Sequence, residues 1–214
     1  MKPLEDCRLY TFVDTAYLNG RAPEMVVQQL CDGGGDLIQL RAKGISQIEI
    51  RRIAELIVPI TKRAGVGLVI NDYPEIARAV GAEFCHLGQE DCGALKRKKA
   101  KGKISNSQIK LGLSTHSPQE AGEAIREGAD YIAVGPVYAT GTKPGRRPVT
   151  LEYVRWAAQH VKVPWFAIGG INLENLDEVL AAGAKRICVV SAILNAPDVA
   201  GACREFQERI SAIH

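Results

Sequence analysis

The sequence of 214 residues lacks any long apolar run: none approaches the roughly 18 residues needed to span a bilayer. Its first six residues, MKPLED, lack the apolar segment of a signal peptide, so secretion is not expected. The formal net charge of +3 is too small to indicate nucleic acid as a partner. We therefore expect a cytoplasmic protein that has neither a membrane nor a nucleic acid as its partner.

Cysteine and histidine are sparse and scattered. The four histidines form no histidine-rich metal site, and no Ser/His/Asp set of the acyl-transfer type stands out. No lysine is placed inside a strand and directed at its end, which disfavours a Schiff-base aldolase. Without a CxxC or zinc-type spacing, reduced structural thiols are expected at the six cysteines, Cys7, Cys31, Cys85, Cys92, Cys188 and Cys203.

What the chain does contain is a repeated junction between helix and strand. Gly34, Gly81, Gly128 and Gly183 each precede a short, mostly apolar segment, as a glycine that ends a helix before a strand would. They are separated by 47, 47 and 55 residues, which suits two strand–helix units each. With the segments between them, eight strands are predicted, at 9–13, 37–40, 67–70, 84–87, 110–113, 131–134, 164–168 and 186–190.

The predicted strands are continuously apolar rather than alternating, which indicates a parallel sheet that is covered on both faces. Helices are predicted between them, for example at 47–63, 118–127 and 173–180. A doubly wound sheet would fit the alternation as well, but barrel closure is favoured. No change of composition marks a second domain, and the lysine-rich segment 96–103 is interpreted as a solvated loop because no aromatic residues interleave with it. The α/β fold class is thus a single (β/α)8 TIM barrel, one domain over residues 1–214.

Charged residues follow the ends of several predicted strands, where such barrels carry their chemistry. Three cations, Arg41, Lys43 and Lys143, occur there with two carboxylates, Asp72 and Asp91. Cations bind phosphate oxygens, and Mg²⁺ accepts one or two protein carboxylates together with phosphate oxygens and water. The set therefore predicts a site for a polyphosphate and Mg²⁺.

A second phosphate site is indicated after strands 7 and 8. Gly169 and Gly170 follow strand 7, and Val190 and Ser191 follow strand 8. Backbone N–H groups at these positions form the phosphate site that is typical of (β/α)8 barrels. We therefore expect one monophosphate group at this place, in addition to the polyphosphate.

The strings at these strand ends resemble those of the thiamine-phosphate synthase family, in order and over essentially the whole chain. Tyr138, where phenylalanine is commoner, and the lysine-rich segment are the departures, and neither falls on a proposed ligand. The strings that carry the resemblance are Ile38-Gln39-Leu40-Arg41-Ala42-Lys43, Ile70-Asn71-Asp72, His86-Leu87-Gly88-Gln89-Glu90-Asp91, Gly112-Leu113-Ser114-Thr115-His116-Ser117, Gly135-Pro136-Val137-Tyr138, Thr140-Gly141-Thr142-Lys143, Ala167-Ile168-Gly169-Gly170-Ile171 and Val190-Ser191-Ala192-Ile193.

The resemblance implies an enzyme, a transferase that joins 4-amino-2-methyl-5-hydroxymethylpyrimidine diphosphate to thiazole phosphate and releases diphosphate. It also implies Mg²⁺ as cofactor and a dissociative substitution in thiamine biosynthesis. For the pyrimidine diphosphate, the resemblance implies Gln39, Arg41, Lys43, Asn71, Ser114 and Lys143, and among these the catalytic groups are Arg41, Lys43, Ser114 and Lys143. For the metal it implies Asp72 and Asp91. For the thiazole phosphate it implies Thr140, Gly141, Thr142, Gly170, Val190 and Ser191.

Two alternatives stay open at this point. A thiazole tautomerase of the same superfamily characteristically loses the diphosphate and metal positions and carries a histidine where this chain has Pro136. A catalytically silent phosphate-binding barrel would keep the phosphate site without turnover. The sequence leaves the roles of His86 and His116 open, and it leaves the oligomeric state open.

Overall fold

The computed structural model describes residues 1–88, 109–141 and 147–212. Eight parallel strands close into a barrel in which every strand pairs with its neighbours in chain order and β1 pairs with β8. Barrel closure, rather than the doubly wound sheet, is therefore confirmed. The strands are β1 (Leu9–Asp14), β2 (Leu37–Arg41), β3 (Gly67–Asn71), β4 (Phe84–Leu87), β5 (Lys110–Thr115), β6 (Tyr131–Val134), β7 (Trp165–Ile168) and β8 (Ile187–Cys188).

Helices follow the strands and cover the outside of the barrel. Within the described ranges, none of them is both long enough and apolar enough to cross a membrane. Two short 3-10 helices, Leu4–Asp6 and Thr15–Tyr17, flank β1. The α-helices are α1 (Pro23–Asp32), α2 (Gln47–Ala64), α3 (Pro74–Val80), α4 (Pro118–Arg126), α5 (Thr150–His160), α6 (Leu176–Ala181), α7 (Ser191–Leu194) and α8 (Val199–Ser211).

Local sequence signals explain where several of these helices begin and end. Ser46 and Ser117 cap α2 and α4 by accepting hydrogen bonds from backbone N–H groups of the first turn, at 3.2 Å in both cases. All four junction glycines of the predicted repeat adopt left-handed backbone angles, a conformation that glycine tolerates best. The glycine periodicity therefore located the helix–strand junctions correctly.

Two predicted boundaries were wrong. The helix predicted at 173–180 begins only at Leu176, because the Asn172 side chain accepts hydrogen bonds from the N–H groups of Glu174 and Asn175 and holds a turn there. The strand predicted at 186–190 spans only Ile187–Cys188. Cys7 lies just before β1 and is buried. The five described cysteines form no disulfide with one another.

Strand register places the ends of β1 and β2 side by side. Asp14 is aligned with Arg41, the last residue of each strand. The carboxyl ends of the strands thus form one rim, at which the polar residues identified in the sequence collect.

Candidate functional site

A cavity opens at the carboxyl ends of the strands, and its volume is about 90 Å³, several times the room that one water molecule needs. Every strand of the barrel contributes to its wall, and the loops after β6, β7 and β8 close one side. Eight of the residues that the sequence predicted for the site line this single cavity: Gln39, Arg41, Asn71, Ser114, Thr140, Gly170, Val190 and Ser191.

Three predicted residues lie beside the cavity rather than in its wall. Lys43 and Asp72 follow the ends of β2 and β3, and Gly141 follows Thr140 in the loop after β6. The remaining predicted site residues, Asp91, Thr142 and Lys143, lie outside the described ranges. The lysine-rich segment 96–103 also lies outside them.

Arg41 is held by a carboxylate that the sequence reasoning did not identify. Its Nη1 donates to Asp14 Oδ2 at 2.6 Å, and the two side chains are only 13% and 1% exposed. Asp14 also accepts a hydrogen bond from the N–H of Ala16 at 3.0 Å, which fixes the carboxylate at the end of β1. The guanidinium is therefore held in one place in the cavity wall, where its fork of N–H donors is suited to phosphate oxygens.

Asp72 is the second polar centre at the rim. Its backbone φ of +65° is uncommon for a residue other than glycine, and its N–H donates to the carbonyl of His86 at 2.9 Å. The carboxylate accepts a hydrogen bond from Asn71 Nδ2 at 2.7 Å and forms an ion pair with Lys43, whose side chain is 58% exposed. This turn directs a carboxylate, an amide and an ammonium group to the same edge of the barrel.

The donor set at Asp72 is compatible with Mg²⁺. In the described ranges no group of three or more His, Cys, Asp or Glu side chains is arranged as a metal site. Mg²⁺ does not need such a cage, because one or two carboxylates, substrate phosphates and water complete its shell. One carboxylate at the cavity rim, beside groups suited to phosphate, fits that requirement.

The opposite side of the cavity is formed by the glycine turn after β7 and by the start of α7. The N–H groups of Gly170, Val190 and Ser191 donate to no protein group in the part of the chain that is described. A Cβ atom at Gly170 would lie 2.6 Å from the carbonyl oxygen of Ala139 and 2.8 Å from Tyr138 Cβ. The turn therefore packs directly on the loop after β6, and only glycine fits there.

Several residues that line the cavity were not assigned by the sequence. His116 Nδ1 lies 2.7 Å from Glu120 Oε2, and the same carboxylate accepts from the backbone N–H of His116 at 2.7 Å. His86 contributes from β4, and Tyr10 and Phe12 from β1. The position of both histidines at strand ends was visible in the sequence, whereas the inward direction of the two aromatic rings was not.

The barrel is closed, and charged side chains and backbone N–H groups collect at one rim. These features define the class of (β/α)8-barrel enzymes, whose active sites lie at this end of the barrel. The family model described as "Thiamine monophosphate synthase" matches residues 9–193. The chain belongs to that family, and it is a transferase, as its relatives are.

Individual relatives agree with the family match. A thiamine-phosphate synthase of Thermus thermophilus is 45% identical over 182 residues, which cover 85% of each chain. That of Acidothermus cellulolyticus is 43% identical over 211 residues, covering 98% of this chain and 97% of the relative. Among solved structures, thiamine phosphate pyrophosphorylase from Pyrococcus furiosus superposes with a TM-score of 0.85 at 31% identity, and 98% of each chain is covered. The family that the sequence resembled is thus confirmed.

Proposed function

We propose that this transferase joins 4-amino-2-methyl-5-hydroxymethylpyrimidine diphosphate to thiazole phosphate in its rim cavity and releases diphosphate. The observation that carries the proposal is that the two sides of this cavity are built from different groups. Arg41 and Asn71 lie on one side of it, and the glycine turn and the start of α7 lie on the other. Two phosphorylated substrates that must meet in one place require two such sides.

The pyrimidine diphosphate is assigned to the side formed by β2, β3 and β5. Arg41, Lys43 and Lys143 would neutralise the negative charge that accumulates on diphosphate as it leaves, which is preorganised electrostatic stabilisation. Gln39 and Ser114, both buried in the cavity wall, would orient the pyrimidine ring. Asn71 would contact the same substrate from the end of β3.

The thiazole phosphate is assigned to the opposite side. The N–H groups of Gly170, Val190 and Ser191 would hold its phosphate, and Thr140, Gly141 and Thr142 would contribute to the same phosphate site. Phosphate oxygens accept hydrogen bonds from converging backbone amides without any cationic side chain. This arrangement would hold the thiazole ring with its nitrogen facing the pyrimidine.

The reaction then needs little acid–base chemistry from the protein. The C–O bond to diphosphate breaks first, its electron pair leaves with the diphosphate, and the electron-rich aminopyrimidine ring stabilises the positive carbon. The thiazole nitrogen supplies the electron pair of the new C–N bond. Holding the two substrates in contact converts a bimolecular step into one within a complex, which accounts for much of the rate.

Mg²⁺ would be held by Asp72 and by Asp91. The metal would supply positive charge to the diphosphate, so that the leaving group is neutralised from two directions. Arg41 and Lys43 bind and orient the same group from the β2 side. The five described cysteines form no disulfide, which supports the proposal that the enzyme works in the reducing cytoplasm.

The direct test is incubation of the purified chain with both substrates and Mg²⁺, followed by mass detection of thiamine phosphate. We expect product only when both substrates are present. A tautomerase would isomerise the thiazole without coupling it, and a silent barrel would show calorimetric binding of thiazole phosphate with no product. Either of these results would exclude the proposed function.

A side chain at Gly170 should damage the thiazole side selectively. In Gly170→Ala the new Cβ displaces the Tyr138–Ala139 backbone, and with it Thr140 and the N–H groups of the turn. We expect the KM for thiazole phosphate to rise about tenfold or more, since small misplacements of a positioned group are costly. Steady-state kinetics with each substrate varied in turn measures this.

The matched control is Gly20→Ala. Gly20 also has a left-handed φ, of +79°, but a Cβ there would meet nothing within 4 Å. This variant introduces the same backbone strain without the clash, so its KM values should stay near those of the parent. Equal increases of both KM values in Gly170→Ala would mean a general folding defect instead of a local one.

A further inference from the structure

A chain of hydrogen bonds crosses the barrel interior, where apolar branched side chains are usual. Gln39 Nε2 donates to the Tyr10 hydroxyl at 2.6 Å, and the hydroxyls of Tyr10 and Tyr131 are 3.1 Å apart. Tyr131 Oη lies 3.2 Å from His86 Nδ1, and His86 Nε2 lies 3.0 Å from Ser114 Oγ. None of the five residues is more than 9% exposed. We call these five residues the interior chain; it connects β2 to β5 through β1, β6 and β4.

Packing fixes the two tyrosine rings of the interior chain. Phe166 packs edge-to-face with Tyr10 at a centroid distance of 5.3 Å and with Tyr131 at 5.7 Å, and Phe84 packs in the same way with Tyr131 at 6.1 Å. A Cβ at position 112 of β5 would lie 2.0 Å from the Tyr131 ring, so Gly112 makes the room for it. The hydroxyls are therefore held where their hydrogen bonds require them.

The direction of the hydrogen bonds follows from the orientation of the Gln39 amide, whose Nε2 faces Tyr10, together with a count of donors. Burial raises the pKa of Tyr10 and of Tyr131 well above the ordinary value, so each phenol keeps its single hydrogen. The Tyr10 oxygen accepts from Gln39, and the hydrogen of Tyr10 then has Tyr131 as its partner. Tyr131 in turn donates to His86 Nδ1. With Gln39 Nε2 placed on the Tyr10 oxygen, the opposite direction would leave the buried Tyr10 hydrogen without an acceptor, which is costly.

The same count fixes the two ends of the interior chain. Because His86 Nδ1 accepts, the ring carries its proton on Nε2 and donates to Ser114 Oγ. The serine oxygen is then an acceptor from His86, and its O–H acts as a donor toward other groups. At the other end, Gln39 uses Nε2 for Tyr10, so its Oε1 acts as an acceptor. Both end residues line the cavity.

We propose that Tyr10, Tyr131 and His86 are positioning residues that set this direction, so that the cavity presents an acceptor at Gln39 and a donor at Ser114. An aminopyrimidine offers the complementary pair, an exocyclic amine that donates and a ring nitrogen that accepts. The three residues act through Gln39 and Ser114 rather than on the substrate. The inference rests on the proposed function, since it assigns the pyrimidine to those two side chains.

The first test is the protonation state of His86 in the parent protein, measured by ¹⁵N NMR of the imidazole rings. The chain has only four histidines, and His86→Gln identifies the signals that belong to His86. We expect the neutral ring with its proton on Nε2. A ring protonated on Nδ1, or on both nitrogens, would overturn the proposal. This measurement does not depend on turnover.

The second test removes single hydroxyls from the interior chain. Tyr10→Phe and Tyr131→Phe should each raise the KM for the pyrimidine diphosphate about tenfold, because an unpaired buried partner is left behind. The KM for thiazole phosphate should not change, and the His86 ring signals should shift in Tyr131→Phe. A merely structural role would change thermal stability without this split between the two KM values.

Tyr153→Phe is the matched control. Tyr153 on α5 is also buried, and its hydroxyl donates to Thr115 Oγ1 at 2.7 Å, outside the cavity wall. Its variant should lose stability but keep both KM values. If the interior-chain variants behave like this control, the proposal is wrong while the proposed function stands. If the parent forms no thiamine phosphate, the proposed function is wrong, and the His86 ring state still decides the direction of the interior chain.

Discussion

Chelation of divalent metal by EDTA should abolish formation of thiamine phosphate, and added Mg²⁺ or Mn²⁺ should restore it. The leaving diphosphate carries several negative charges, and the cations beside the described cavity are too few to neutralise it alone. Asp72 places a hard oxygen ligand at the rim, and Mg²⁺ commonly combines such a carboxylate with substrate phosphates. Product formation measured against free Mg²⁺ concentration gives the requirement directly.

The competing interpretation is that Asp72 serves only as the partner of Lys43. The variants Asp72→Asn and Lys43→Ala distinguish this interpretation from a role of Asp72 as a metal ligand. If Asp72 is a metal ligand, Asp72→Asn should need at least about tenfold more Mg²⁺ for half-maximal rate, because even the loss of a group that only supports a ligand weakens metal binding about tenfold. Lys43→Ala should lower the rate but leave the Mg²⁺ dependence near that of the parent. If both variants show the same dependence of rate on Mg²⁺ concentration as the parent, or if the parent is fully active in EDTA, the metal has no part in the mechanism.

Arg41→Ala should have the second large effect, on turnover and on stability together. Loss of a preorganised charge contact to the leaving group lowers kcat/KM about a hundredfold to a thousandfold. The variant also leaves Asp14, which is 1% exposed, as a buried carboxylate without its partner. Breaking such a pair costs about 3 kcal/mol of the free energy of unfolding. Denaturant unfolding and steady-state kinetics measure the two effects separately.

Two controls isolate these effects. Lys43→Ala also removes one cation, but its side chain is 58% exposed, so its ion pair should contribute less than about 1 kcal/mol to stability. The double variant Arg41→Met with Asp14→Asn should recover part of the stability but none of the activity. An Arg41→Ala enzyme with parental kcat/KM would mean that the diphosphate binds elsewhere.

The repeat of glycine and apolar segment, together with the apolar segments between the repeats, predicted the eight strands. The alternation fitted a doubly wound sheet as well, and the structure confirms the favoured alternative, the closed barrel. Barrel geometry brings the carboxyl ends of all strands to one rim, so residues that follow strands could be grouped without any contact information. For that reason Gln39, Ser114 and Gly170, which are far apart in the chain, were predicted together and do line one cavity.

The partners of these residues could not be predicted in the same way. The pairing of Arg41 with Asp14 depends on the register between β1 and β2, which the sequence pattern does not specify. The contact between Tyr10 and Tyr131 joins residues 121 positions apart and depends on which side of each strand faces the barrel interior. Strands that are apolar on both sides carry no alternation, so the inward positions cannot be read from them.

The central claim is that the rim cavity holds both substrates side by side, and a crystal structure with thiamine phosphate, diphosphate and Mg²⁺ bound tests it most directly. We predict the thiazole phosphate on the N–H groups of Gly170, Val190 and Ser191, and the diphosphate with its metal between Arg41 and Asp72. The pyrimidine ring should contact Gln39 and Ser114. Product bound outside this cavity, or the two phosphate groups exchanged between its sides, would contradict the account.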